Sequence, residues 1–176
     1  MKSRTRRQFE DLPVEAREQF AENTKERIYS TITLLAVMTA LWHGTVHHSH
    51  LGVLAVISGS VVALWLATLV ADRMSYRAIH GKSISLQKYR SMFFATSGLL
   101  TPAIAPLLLV LLSWIGVMSL ANALLLSMVA LLLSITFFSF LGNRRIYDST
   151  LQVLGHSLIE LCIGLGVVAL KLLAGE

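Results

Sequence analysis

Residues 28 to 71 read IYSTITLLAVMTALWHGTVHHSHLGVLAVISGSVVALWLATLVA, 44 consecutive positions without Asp, Glu, Lys or Arg. At about 1.5 Å per helical residue this run crosses a hydrocarbon core of about 30 Å twice. A second uncharged run, residues 91 to 143, spans 53 positions, and a third, 149 to 170, carries one charge, Glu160. Only 14% of the 176 residues are charged, against about 25% in soluble domains. The expected fold is therefore all-α: a polytopic integral membrane protein built as a five-transmembrane-helix bundle. Its helices are expected at about 28–46, 51–71, 91–115, 117–141 and 150–173. Residues 1–27 are expected to form a charged N-terminal helix ahead of this domain, starting near Pro13 with Asp11 as its cap.

The signs of the charges orient the bundle. Fourteen of the fifteen Lys and Arg residues lie in residues 1–27, in the connection 72–90 or at Arg144 and Arg145, and Lys171 is the exception. Basic residues near helix ends are retained on the cytoplasmic side. The N-terminus is thus expected inside and the C-terminus outside, in a plasma or inner membrane. The bilayer is the main partner, with anionic lipids expected at the basic connections, the first running from Arg73 to Arg90 and including Arg77, Lys82, Lys88, Tyr76, His80 and Tyr89, the second holding Arg144 and Arg145. The same placement speaks against nucleic acid despite the net charge of +5. Glu26 with Arg27, and Asp72 with Arg73, read as ion pairs at helix ends.

Other classes lack their motifs. There is no Walker loop, no G-x-G-x-x-G and no C-x-x-C, and a lone cysteine, Cys162, makes no intrachain disulfide. No nucleophile, base and oxyanion group collect at one membrane face, so an enzyme is not expected.

Inside the bundle, small pairs at four-residue spacing, Gly59 with Ala63, Ala123 with Ser127 and Ala130 with Ser134, are expected to pack helices together. Pro102 and Pro106 interrupt the third helix. Their missing amides release backbone carbonyls that hydroxyls, water or an ion must satisfy.

Glu160 lies 12 residues past Asp148, about 18 Å into the membrane. A carboxylate at that depth costs at least ~2.5 kcal/mol, so it faces the bundle interior or a wet cavity, or carries a proton. Gln152, His156, Glu160 and Gly164 recur every four residues along a slowly drifting helix face. With Thr101 and Ser97 at similar depth on the third helix, they make up the expected ion or proton site. The competing reading is a hydrogen-bonded cluster that holds helices together. No resident cofactor is needed, although His156 with oxygen donors would accept a divalent metal ion. A second candidate metal site is His43, His47, His48 and His50, four histidines within eight residues. The first two stand at the i, i+4 spacing of imidazoles that share a metal; the competing reading is an interfacial, hydrogen-bonded loop.

Three segments carry a family resemblance: ERIYSTITLLAV at 26–37, VISGSVVALWLATLVADRMSYRA at 56–78, and FLGNRRIYDSTLQVLGHSLIELCIGLGVVALKLL at 140–173. In these, and in helix order, the chain resembles the vacuolar iron transporter family. The resemblance implies a five-helix transporter of Fe or Mn, exchanging against protons, that works as a homodimer. The family's metal ligands do not map: Tyr29-Ser30-Thr31 occupies its Asp-Gly region, Ala63-Leu64-Trp65-Leu66 its Met and Glu region, and its Glu-rich insertion is absent. The functional expectation is a membrane transporter of divalent cations or protons. The alternative is a non-transporting accessory or scaffold subunit that binds a protein partner through its charged N-terminal helix.

Overall fold

The computed structural model describes residues 13–44, 48–81, 84–146 and 150–174. These form six α-helices and one 3-10 segment, with no strand among the described residues. In order they are α1 (Val14–His43), α2 (His50–His80), α3 (Leu86–Thr96), the 3-10 segment Ser97–Ala103, α4 (Ile104–Trp114), α5 (Leu120–Ile146) and α6 (Thr150–Ala174).

Local chemistry explains most of the boundaries. Pro13 stands at the N-cap of α1, and the expected cap Asp11 lies outside the described residues. No Gly or Pro interrupts residues 14–43, so the charged segment and the first apolar one are a single helix of 30 residues. The Ser49 hydroxyl caps α2 by accepting from the Gly52 amide at 3.1 Å. The expected connection at 72–90 is largely helical instead. With no Gly or Pro between Asp72 and His80, α2 runs on until Gly81, whose φ of 61° ends it in the left-handed region. Only residues 81–85 separate it from α3. The third expected helix is divided where its prolines fall: residues 97–103 take the tighter 3-10 form with Pro102 inside it, and α4 follows. Gly116, at φ 84°, turns the chain toward α5.

Four stretches are long and apolar enough to cross a membrane: His50–His80, Ser97–Trp114, Leu120–Phe140 and Leu151–Leu170. The expected first span, 28–46, falls short because its helical part ends at His43 and carries Ser30, Thr31, Thr33 and Thr39. Position in the bundle accounts for this composition. Helix α1 packs against α2, α3, the 3-10 segment, α5 and α6, and buries Glu26, Ser30, Thr31, Leu34, Leu35, Met38, Thr39 and Leu41. A helix enclosed by protein can carry hydroxyls whose bonds are made locally. Thr31 donates to the Arg27 carbonyl at 2.6 Å and Thr39 to the Leu35 carbonyl at 2.8 Å. Around it, Val53, Ile57 and Val61 of α2, Val110 of α4, and Leu124 and Leu131 of α5 complete the core.

Of the small pairs, Ala123 and Ser127 are buried and Ala130 and Ser134 half-buried, whereas Gly59 and Ala63 face outward. The last pair therefore packs no helix among the described residues. Glu26 and Asp72 share one end of the bundle, the basic end, and His43, His48 and His50 lie at the opposite, histidine end.

Candidate functional site

Helix α6 carries Gln152, His156, Glu160 and Gly164, yet the four do not share an environment. Gln152 and His156 are exposed, Glu160 is half-buried and Gly164 is buried. The physical reason is helical twist: a step of four residues advances about 40° beyond a full turn, so three steps carry the row about 120° around the axis. The row thus enters the bundle obliquely. The His156 Nδ1 lies 2.8 Å from the Gln152 carbonyl. Glu160 comes next, and its Oε2 is enclosed without a hydrogen-bond partner among the described residues. One turn to either side, α6 is tight on α5. Ser139 donates to Ser157 at 3.2 Å, and a Cβ at Gly164 would stand 3.0 Å from Leu132 Cδ2. A cavity of about 350 Å³ opens between these helices, lined mainly by Leu and Phe side chains with Thr136 and Ser157; Glu160 does not line it.

Thr101 and Ser97 lie on a different wall. Their 3-10 segment packs on α1, α2, α3 and α4, while α6 packs on α1 and α5. Thr101 is exposed and Ser97 half-buried. The carbonyl opened at this break is already taken. In a 3-10 pattern the Leu99 carbonyl would receive the amide of residue 102, which Pro102 lacks, and the Ser30 hydroxyl donates to it instead at 2.7 Å.

The histidines at the other end divide as well. His43 and His48 are exposed, and the glycine at 44 leaves room for the His48 ring, whose Nε2 would be 2.9 Å from a Cβ there. His50 turns to α4, with its Nε2 3.1 Å from the Ser113 hydroxyl. His47 lies outside the described residues. Among the described residues no three His, Cys, Asp or Glu side chains are arranged to hold a metal ion.

The basic end holds a carboxylate that sequence reading placed in an ion pair. Glu26 is 6% exposed, and its Oε2 has no hydrogen-bond partner among the described residues. Burial foremost, then repulsion from Asp72 and Glu22, pushes its carboxyl up from 4.5 to about 7, with Lys25 pulling the other way. Arg27 points elsewhere, its guanidinium 5.5 Å above the Phe138 ring and its Nε beside Gly98. Consecutive helical residues diverge by about 100°, so Glu26 and Arg27 do not face each other. The signal available in the sequence was the four-residue row Glu26, Ser30, Leu34, Met38, all of it buried, which continues the core stripe of α1 onto a charge.

No family model, no curated protein and no solved structure matches this chain.

Proposed function

We infer that the protein is a transporter that moves protons, or a small cation exchanged for them, across a membrane. Its N-terminus would lie on the cytoplasmic side of a plasma or inner membrane, as the distribution of Lys and Arg favours. The observation that carries the reading is Glu160: an ionisable group inside an apolar candidate span, with one carboxylate oxygen enclosed and unpartnered. Such a group marks an ion or proton path by default, since it is costly to keep for packing alone. Glu26 supports the reading as a second enclosed carboxylate, titrating near neutrality at the basic end of the central helix. A divalent-metal cargo draws its support from the family resemblance.

The test is flux in liposomes reconstituted with the full chain, read with an internal pH dye and, for metal, with Mn²⁺ outside. Glu160→Gln, which keeps size and hydrogen-bonding shape, is expected to slow proton or cation flux by about tenfold or more. Equal flux in wild type and variant, or no flux above empty liposomes, overturns the reading.

A second reading has its own observation. Gly59 and Ala63, one helical turn apart on α2, are both exposed, a small-residue pair of the kind at which membrane helices approach closely. This favours an accessory subunit or a homodimer held along α2. Crosslinking in native membranes is expected to capture a partner or second copy that Gly59→Leu releases; an unchanged pattern counts against it.

A further inference from the structure

Near the basic end, a cavity of about 310 Å³ is lined by Arg73, Arg77, Ile84, Leu86 and Tyr89. Its size is at the small end of ligand pockets, about 300–1,000 Å³, and its chemistry is divided. Two guanidiniums stand one helical turn apart on α2, on the same face. Like charges at this spacing repel, and neither has an ion pair or hydrogen bond among the described residues. Asp72 does not relieve them, since as the next residue it projects about 100° away around the helix. Tyr89 brings a phenol from across the link at 81–85. Two planar forks and a hydroxyl suit the oxygens of a phosphate, which accepts bidentate bonds from arginine.

The surroundings distinguish a lipid from free phosphate. Ile84 and Leu86 give the cavity an apolar side, and Leu86 is 78% exposed. On the same face of α2, seven and three residues before Arg73, Leu66 and Val70 are also exposed. The stripe Leu66, Val70, Arg73, Arg77 therefore runs from the apolar span to the two cations. Arg73 is the first basic residue after the 44 uncharged positions, which places it at headgroup level when the span is seated in a bilayer. An inorganic anion would leave the apolar part uncovered, whereas a phospholipid matches both parts.

We propose that Arg73, Arg77 and Tyr89 form a headgroup site for an anionic phospholipid, whose chains lie along Leu66 and Val70. The lipid phosphate sits between the two guanidiniums and accepts a hydrogen bond from the Tyr89 hydroxyl.

The test is native mass spectrometry of the full chain, delipidated in detergent and titrated with phosphatidylglycerol, phosphatidylcholine or inorganic phosphate. Wild type is expected to retain phosphatidylglycerol over phosphatidylcholine, and Arg73→Gln with Arg77→Gln to weaken that preference about tenfold. Arg73→Lys with Arg77→Lys, which preserves charge and is the safer variant for folding, is expected to fall between the two. Arg90→Gln, outside the cavity, is expected to change the preference less than about twofold. Equal retention of both lipids by wild type overturns the proposal. So does an equal loss from Arg90→Gln, which would mean general attraction to basic charge. Displacement of the lipid by inorganic phosphate at matched concentration also overturns it, because the site would then be one for the free anion.

Discussion

The Ser30 hydroxyl of α1 donates to the Leu99 carbonyl at 2.7 Å, a bond between residues 69 positions apart. It joins the central helix to the one place where a candidate span leaves α-helical form. Pro102 removes an amide, residues 97–103 tighten into a 3-10 turn, and a hydroxyl from the neighbouring helix replaces the missing donor. Both partners are buried, Ser30 at 0% and Leu99 at 1% exposed, so no solvent can take over.

Ser30→Ala therefore leaves a buried acceptor unsatisfied and is expected to cost about 1–3 kcal/mol. Thr33→Ala provides the contrast. Among the described residues Thr33 bonds only within its own helix, to the Tyr29 carbonyl at 2.9 Å, and its loss is expected to stay within about 0.5 kcal/mol. Thermal unfolding of both variants in detergent gives the comparison; equal effects would show that the break does not depend on Ser30.

Glu26 makes stability depend on pH. Its carboxyl lies at about 7 in the folded chain against 4.5 ordinarily, so between these values the native state binds more protons than the unfolded one. Stability is then full below about pH 4.5 and falls as pH rises through about 7. Glu26→Gln is expected to flatten this part of the curve. A profile that rises across the same window, or a variant with an unchanged profile, would contradict the burial of an unpaired carboxyl.

Two glycines of α6 should respond in opposite directions. A Cβ at Gly164 would meet Leu132 Cδ2 at 3.0 Å, while one at Gly155 would meet nothing within 4 Å. Gly164→Val is expected to push α6 off α5 at a cost of about 1–3 kcal/mol. Gly155→Ala is expected to raise stability by up to about 1 kcal/mol through helix propensity. Melting temperatures of the two variants check the pair, and a shift of the same sign for both would contradict the packing described.

Gly116 turns the chain between α4 and α5 at φ 84°, where an L side chain meets its own carbonyl. Gly116→Ala is expected to destabilise by about 1–2 kcal/mol although nothing lies within 4 Å of the added methyl. A neutral result would mean that the turn readily takes another form.

Much of the architecture was legible in local patterns. The helix breaks at Gly81, at Pro102 and at Gly116 coincide with residues whose backbone chemistry demands them. The continuation of α2 to His80 has no hydropathy signal, because a charged helix without Gly or Pro simply extends past the apolar zone. The candidate site was legible only in part. Glu160 stood out as a charge in an apolar run; it is half-buried, with one carboxylate oxygen enclosed. The association of His156 with it did not follow from four-residue spacing, since the row rotates out of the bundle. Glu26 was hidden among the charges of residues 14–27, and its burial depends on α1 being surrounded.

The sequence by itself determined that this chain is helical, where its apolar stretches lie, and which residues end them. These properties follow from side-chain hydropathy and from the backbone chemistry of Gly and Pro, which act locally. Only the tertiary structure decided which apolar face meets protein and which faces outward. It also decided that α1 is the central helix, that Glu26 is buried, and that Ser30 meets Leu99. The reason is that lipid and protein interior are equally apolar, so hydropathy cannot separate a core leucine from a lipid-facing one. Position within the bundle is set by long-range contacts, and those have no local signature.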